Sequence, residues 1–297
     1  MHDQPVASQP VPSLQHRLAG RSLRSALLSG VAWVCALIAS VPLLSVLYML
    51  IMRGGSRLSW EVLSELPPAG FEMGGGFGNA LVGTFVMVGI AALIAIPVGI
   101  LAAIFLSELG PSSKLANIAR FAAKTLTGLP SILAGVFAYA MVVLTTGSYS
   151  APAGGVALAV LMVPIVVLTA EEALKMVPKA MKDAAYGMGC TKTQVIWKIV
   201  LPTGMPAILT GVMLAVARAA GETAPLLFTA LFSNYWLYQD GSLEVMGPTA
   251  SLAVLIYNFS GMPFDNQIEL AWAASLVLVL IVLVINIVSR IIGRPRF

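Results

Sequence analysis

Charged residues are scarce in this sequence of 297 residues. Only 10% of the residues are Asp, Glu, Lys or Arg, whereas 58% are hydrophobic and the mean hydropathy is +0.91. Soluble domains carry about 25% charged residues, and a water-soluble globule has too little interior to hide this much apolar surface. The composition therefore argues against a soluble enzyme, a nucleic-acid-binding protein and a disordered chain.

Cysteine and histidine are also rare. Cys35 lies in an apolar run and Cys190 in a polar loop, which argues against a disulfide framework or a cysteine metal site. His2 and His16 lie in the N-terminal tail and form no ligand cluster. The glycine-rich stretch 74–78 lacks the Lys-Ser/Thr ending of a phosphate-binding loop. We therefore expect no metal site, no cofactor and no catalysis in this chain.

Long apolar runs are what the sequence does contain, and a membrane-spanning helix needs about 20 mostly apolar residues. The run Thr125–Ala170 is too long for one crossing, because 46 residues of helix would measure about 69 Å. A turn-rich stretch at 146–152 is the expected point of return. With this run counted twice, the sequence predicts an all-α membrane protein with six transmembrane helices. The uncharged runs are Ser25–Met52, Met73–Ser107, Thr125–Ala170, Ile199–Ala217 and Leu270–Ser289.

The basic residues predict the orientation of these spans. With the N-terminus inside, 14 of the 17 Lys and Arg residues fall on the inner side, where membrane proteins accumulate positive charge. Only Arg53 and Arg57 fall outside, and Arg218 lies at the end of the fifth span. The polar segment 1–24 is predicted to be a disordered cytoplasmic tail, and residues 25–297 to form one transmembrane domain.

Two further apolar stretches, Thr223–Gln239 and Val245–Phe264, test this count. If only one of them crossed, the basic C-terminus would lie outside. If both crossed, the acidic connection Asp240–Glu244 would lie inside without a single base. Both stretches are therefore predicted to be external or re-entrant helices that do not cross.

The inner connection between the fourth and fifth spans, residues 171–202, is predicted to be a helical hairpin. A short helix is expected over Pro178–Met188, since proline suits a first helical turn, and Gly189 is expected to end it. Thr191 and Gln194 have capping-box spacing for a second helix, which Pro202 should end or kink. Such an amphipathic hairpin either lies on the lipid surface or docks on another protein, and its small residues favour a protein.

Part of this connection resembles the "EAA" loop of the permeases of bacterial ABC transporters, type I importers. The family spacing is matched throughout, and the departure is an aspartate where the family has glutamate. The resemblance implies a coupling helix that docks in a groove of a separate ATP-hydrolysing subunit. The residues that carry the resemblance, and the implied coupling role, are Asp183, Ala184, Ala185, Gly189, Ile199, Leu201 and Pro202.

Arg218 and Glu222 place two ionisable groups near the fifth span. Spaced i, i+4, they share a face in a continuous helix, and such groups inside a membrane usually face a bundle interior or a wet cavity. Two interpretations remain open at this point: a self-neutralising pair at a helix end, or an arginine that offers donors to an anionic substrate while Glu222 orients it. Thr223 to Pro225 can also begin a new helix whose free N–H groups favour an anion.

A second resemblance covers roughly residues 75–295. The segments Gly221–Leu227, Ser251–Phe259 and Gln267–Ala273 are similar to the PstA-type permeases of phosphate ABC transporters. The similarity implies half of the translocation pore of an ATP-driven phosphate importer, with Arg218, Glu222 and Thr223 along the substrate path. The implied partners are a PstC-type permease subunit, two PstB-type ATPase subunits and an external PstS-type phosphate-binding protein. The implied location of this chain is the inner membrane of a bacterium, with both of its termini cytoplasmic.

Three other functions remain as alternatives. A permease of the same architecture for another oxyanion, such as molybdate or sulfate, is distinguished by competition among the anions during uptake. A secondary transporter driven by an ion gradient predicts inverted internal repeats, which the sequence does not display. A membrane scaffold without transport activity leaves Arg218 and Glu222 unexplained.

Overall fold

The computed structural model describes residues 15–239 and 242–292. Contacts divide the chain into two compact units, residues 1–49 and residues 50–297. The described part of the first unit is one helix, α1 (Gln15–Met49). This helix begins before the apolar run that starts at Ser25, and residues 1–14 of the predicted tail lie outside the described residues.

The second unit is helical almost throughout. In chain order its helices are α2 (Gly55–Arg57), α3 (Trp60–Ser64), α4 (Gly78–Ile104), α5 (Lys114–Thr127), α6 (Ser131–Ala138), α7 (Leu144–Thr146), α8 (Ala151–Lys175), α9 (Lys179–Gly187), α10 (Lys192–Val195), α11 (Leu201–Ala220), α12 (Ala224–Thr229), α13 (Leu252–Ser260) and α14 (Asp265–Ile292). Four π-helical segments adjoin them, at Leu50–Gly54, Phe105–Leu109, Tyr139–Val143 and Ile196–Val200. Two strands, β1 (Tyr238–Gln239) and β2 (Ser242–Leu243), pair antiparallel.

Five helices are long and apolar enough to cross a membrane. Among the described residues they are Arg24–Arg57, Gly78–Leu109, Ala151–Lys175, Lys192–Ala220 and Asp265–Ile291. A sixth span is present if the bent pair Lys114–Thr127 and Ser131–Thr146 counts as one crossing. The prediction of an all-α membrane protein is confirmed, and the two-residue strand pair is the only β-structure in the described part of the chain.

The third span differs from the prediction of one helix that begins near Thr125. The helix α5 ends at Thr127, and α6 starts only after Pro130, with a bend of 107° between the two parts. Proline disfavours helical geometry in the residue before it and lacks an N–H, so the break falls there. The expected turn at 146–152 is confirmed, because Gly147 ends α7 in the left-handed region at φ 73° and α8 begins at Ala151.

The fifth span continues through Pro202 instead of ending there. α10, the π-helical segment Ile196–Val200 and α11 follow one another without interruption from Lys192 to Ala220. A π-helical turn shifts the hydrogen-bond register, and here it lies directly before the proline, whose missing N–H would otherwise break the pattern. Of the two expected outcomes, an end or a kink at Pro202, the end of the helix is therefore contradicted, and the kink stays a prediction.

The two apolar stretches before the last span contain short elements only. α12 has 6 residues and α13 has 9, with the small β1–β2 pair between them. At 1.5 Å per residue neither helix covers a hydrocarbon core of about 30 Å. This agrees with the prediction that both stretches do not cross.

The tightest helix pair in the second unit is α4 against α8. A Cβ added at Gly99 would lie 2.5 Å from Val166 Cγ1, and one at Gly155 would lie 2.5 Å from Ile90 Cγ2. Only glycine permits this approach, and Ala91 between the two contacts is fully buried. Because lipid provides no hydrophobic drive between helices, close packing of small residues is what holds such a pair together. Because α8 is held firmly against α4, the positions of later helices can be described by their contacts with α8.

Candidate functional site

The predicted inner hairpin is present. α9 begins after Pro178, which serves as its N-cap residue, and ends at Gly187. Gly189 follows in the left-handed region at φ 85°, a conformation that favours glycine. The predicted short helix and its glycine terminator are therefore confirmed as structure.

The second helix of the hairpin has the predicted capping box. The Thr191 hydroxyl accepts a hydrogen bond from the Gln194 N–H at 3.4 Å, and the Gln194 side-chain oxygen accepts one from the Thr191 N–H at 2.9 Å. These reciprocal bonds satisfy two N–H groups that a helix start otherwise leaves open. They set where α10 begins relative to α9.

The residues that carry the EAA resemblance do not share one surface. Asp183 and Ala184 are exposed on α9, whereas Ala185 is buried against the chain's own core. Ile199 and Leu201 are partly buried and pack on the same core. The exposed residues of the hairpin also include Met181, Tyr186, Met188, Gly189 and Pro202.

A salt bridge that was not predicted from the sequence connects α9 to the span that contains α4. Lys182 Nζ lies 2.5 Å from Glu108 Oε1, and the two side chains are only 17% and 11% exposed. Glu108 belongs to the π-helical segment Phe105–Leu109 that extends α4. Since 74 positions separate the two residues, no local spacing indicated the pair. The bridge connects the hairpin to the end of α4.

A cluster of three charged residues lies at the same end of α8, and it too was not predicted. Glu171, whose side chain is 5% exposed, accepts from Arg120 Nε and from Lys175 Nζ, both at 2.6 Å. Arg120 also donates to the Leu106 carbonyl oxygen at 2.7 Å. The i, i+4 spacing of Glu171 and Lys175 is the one signal that the sequence offered. We call Arg120, Glu171 and Lys175 the inner ion cluster.

The predicted charged pair of the fifth span lies at a break between two helices. α11 ends at Ala220, and α12 begins at Ala224 with Thr223 as its N-cap residue, so the expected new helix is present. The Glu222 N–H still bonds to the Ala219 carbonyl at 3.2 Å, which keeps this turn nearly helical. Arg218 Nε therefore reaches Glu222 Oε1, at 3.4 Å.

This pair leaves most of the arginine's donors unused. The Arg218 side chain is 45% exposed and that of Glu222 is 16% exposed. Among the described residues, the two terminal guanidinium nitrogens of Arg218 have no hydrogen-bond partner. A guanidinium presents a planar fork of donors that suits oxyanions. Arg218 therefore has one long hydrogen bond within the chain and further donors that are open to a ligand.

Contacts with α8 give the depth of Arg218. Gly211 packs against Thr169, where an added Cβ would lie 2.2 Å from the threonine oxygen, and Gly154 packs against Leu226, where an added Cβ would lie 3.2 Å from the leucine Cδ2. The helices are thus antiparallel, and Arg218 lies about midway between these two contacts in sequence. This places it level with the centre of α8, a helix of 25 residues that matches a membrane crossing.

Comparison with known proteins supports a transport role. The family of binding-protein-dependent transport system inner membrane components matches residues 95–295. Among curated relatives, the phosphate transport system permease protein PstA of Haemophilus influenzae is 41% identical over 280 residues, which cover 94% of this chain and 97% of the relative. The PstA protein of Yersinia pestis is 40% identical over 254 residues, which cover 86% and 84% of the two chains.

Solved structures agree on the fold. A chain from a bacterial alginate ABC transporter in complex with a periplasmic protein superposes with a TM-score of 0.61 at 19% identity, covering 94% of this chain and 97% of its own. A chain of the inward-facing MetNI methionine ABC transporter superposes with a TM-score of 0.55 at 21% identity, covering 74% and 93%. The chain therefore belongs to the family of binding-protein-dependent transport system inner membrane components, and within it to the PstA-type phosphate transport permeases.

Proposed function

We propose that this chain forms half of the translocation pore of an ATP-driven importer of inorganic phosphate. A PstC-type permease subunit supplies the other half, two PstB-type ATPase subunits bind on the inner side, and a PstS-type binding protein delivers phosphate from outside. The chain itself performs no catalysis, since ATP is hydrolysed by the separate ATPase subunits. The names of the curated relatives support phosphate as the cargo.

The open guanidinium of Arg218 is the observation that carries this proposal. It is half exposed, it lies level with the centre of α8, and its one internal hydrogen bond is long. A phosphate ion that enters the membrane loses part of its hydration, and an arginine fork offsets that loss through charge-assisted hydrogen bonds. Glu222 holds the fork in place, and Thr223 lies at the adjoining helix start.

Coupling to ATP hydrolysis runs through the hairpin in this proposal. The exposed residues of α9, among them Asp183 and Ala184, dock in the groove of an ATPase subunit. The buried residues of the hairpin carry the motion inward: Lys182 pulls on α4 through Glu108, and Ile199 and Leu201 continue into the span that bears Arg218. Closure of the ATPase pair thereby moves the helices that flank the charged break.

Charged residues at the same end of the molecule support one orientation in the membrane. Lys182 of α9 and the inner ion cluster lie at the end of α8 that carries the hairpin, and excess positive charge marks the cytoplasmic side. We infer that this end faces the cytoplasm and that both termini are cytoplasmic in the bacterial inner membrane. Addition of a membrane-impermeant maleimide to intact cells tests this, because Cys190 in the hairpin then remains unlabelled until the membrane is opened.

Arg218→Gln is the decisive test of the substrate path. In vesicles that carry the complete transporter, we expect the variant to lose at least about 100-fold in ATP-driven uptake of labelled phosphate, because one charge-assisted contact contributes roughly 3 kcal/mol. Arg53→Gln makes the same chemical change outside the proposed path and should leave uptake close to wild type. Normal uptake by Arg218→Gln in an assembled complex overturns the assigned role. Competition by molybdate and sulfate in the same assay identifies the cargo.

A bulky residue at Ala184 tests the docking surface separately. The side chain is exposed, so Ala184→Trp should leave folding of the chain intact while it blocks the ATPase groove. We expect loss of ATPase co-purification, with an unchanged thermal midpoint for the isolated permease. If the ATPase still co-purifies and uptake stays normal, the hairpin is not the docking element.

A further inference from the structure

A second polar site lies on the inner side of Arg218. The C-terminal ends of α8 and α14 and the middle of α11 line an open groove of about 350 Å³. Its lining is partly charged, with Glu172 from α8 and Arg290 from α14, and α14 also contributes Asn286 and Ser289. Glu172 lies in the last turn of α8, next to Glu171 of the inner ion cluster, whereas the three α14 residues lie outside the hairpin and the cluster. The resemblance to known permeases assigned none of the four a role.

The floor of this groove is the face of α11 that carries Arg218. Thr210 and Leu214 line the groove, and Arg218 follows at the same spacing of four residues, so the three side chains lie in one row. All three residues are exposed. Eight residues of helix separate Thr210 from Arg218, a rise of about 12 Å. An ion that leaves Arg218 along this row arrives in the groove.

Hydrogen-bond donors without protein partners converge on the groove. Among the described residues, Arg290 has no ion pair or hydrogen bond, and the buried Ser289 hydroxyl has no partner. One N–H of the Asn286 amide donates to the Val282 carbonyl, which leaves the second free. The Thr210 hydroxyl donates to the Pro206 carbonyl and can therefore only accept. The free groups include a guanidinium, a hydroxyl and an amide N–H, the set that an oxyanion requires.

We propose that this groove binds a phosphate group and is the inner site of the passage, with Arg290 as its cation and Ser289 as a hydroxyl donor. Inorganic phosphate as the ligand rests on the proposed function; the same chemistry also suits a phospholipid headgroup. Glu172 lines the groove together with Arg290, so this site, like the one at Arg218, contains one arginine and one carboxylate, although Arg290 forms no ion pair among the described residues. The carboxylate weakens each site, and conduction needs sites that release their ion.

Cysteine protection measures binding without any transport. In a variant whose Cys35 and Cys190 are replaced by serine, Thr210→Cys places a thiol in the groove without removal of a donor. Inside-out vesicles are treated with a maleimide in the presence of phosphate or of chloride. We expect phosphate to slow labelling several-fold at position 210 and to leave an Ile287→Cys control unchanged. Arg290→Gln should abolish the protection.

The outcomes separate the two sources of the phosphate group. Protection by added phosphate identifies the free ion. A phospholipid headgroup at the same site predicts a different result. Labelling is then slow with or without added phosphate, and it becomes fast after detergent extraction of lipid and in Arg290→Gln. Labelling that responds to neither treatment overturns the proposal. Protection in vesicles without ATP-driven uptake supports the groove while it overturns the proposed function.

Ser289→Ala sharpens the test, because the structure gives this hydroxyl no protein hydrogen bond to lose. We expect the phosphate concentration for half-maximal protection to rise roughly tenfold. Ser275→Ala is the matched control on α14, where the hydroxyl donates to the Ala271 carbonyl at 2.7 Å. A purely structural role of Ser289 predicts equal results for both alanine variants.

Discussion

The inner ion cluster and the charged break hold the same kinds of residue in opposite ways. In the cluster, Glu171 is 5% exposed and accepts from two bases at 2.6 Å. At the break, Arg218 and Glu222 share one contact of 3.4 Å, and the arginine is 45% exposed. A buried carboxylate with several partners fixes helices in place, whereas a loose pair with spare donors is free to exchange its partner for a passing ion.

The largest expected effect is on the cluster. Glu171→Gln keeps the shape of the side chain but leaves Arg120, whose side chain is only 18% exposed, without its counter-charge. Removal of one partner of a buried pair is costly, and we expect a loss of about 3 kcal/mol in the free energy of unfolding, measured by denaturant titration in detergent.

The control for this variant is the uptake rate per folded transporter. Because none of the cluster's three residues lines the groove, this rate should stay within about twofold of wild type, a margin of roughly 0.4 kcal/mol in activation free energy. If the Glu171→Gln protein is as stable as wild type but fails to transport, the cluster contributes to transport and not to stability.

The bridge between Lys182 and Glu108 should respond at an intermediate level. The pair is nearly buried at 2.5 Å but single, so we expect Lys182→Gln to lower the free energy of unfolding by about 1–2 kcal/mol. It should also lower the amount of phosphate moved per ATP hydrolysed, because α9 then pulls less on α4. Lys114→Gln, on α5 and outside the hairpin, makes the same chemical change at an exposed lysine and should change neither quantity.

Exchange of the two charges separates coupling from simple stability. Lys182→Glu combined with Glu108→Lys restores an ion pair, and we expect it to recover most of the phosphate moved per ATP that each single reversal loses. If both singles uncouple transport and the double variant does not improve on them, Lys182 acts through another contact.

Local signals in the sequence predicted the parts of this molecule that local physics decides. Gly189, the Thr191–Gln194 capping box and the turn after Thr146 each depend on neighbours within a few residues, and all three are present. The bend before α6 escaped prediction because Pro130 lies in an uninterrupted apolar run, where proline is common in membrane helices.

Long-range pairs could not be read from the sequence in this way. Glu108 and Lys182 were visible only as charges near the inner side, and 74 positions separate them. The same limit applies to the groove beside Arg290, which three helices build together. The Arg218–Glu222 pair was found because four residues separate its members, although the helix assumed for it in fact ends between them.

The smallest expected change in stability is at the break itself. Glu222→Gln is the same chemical change as Glu171→Gln, placed where one long contact to a half-exposed arginine is lost. We expect the free energy of unfolding to fall by less than about 1 kcal/mol, as it does when an exposed ion pair is removed. Uptake should fall about tenfold at low phosphate, because the arginine fork loses the group that orients it. If Glu222→Gln and Glu171→Gln lower the free energy of unfolding equally, the distinction between the two regions is wrong, because the pair at the break then stabilises the fold as much as the cluster does.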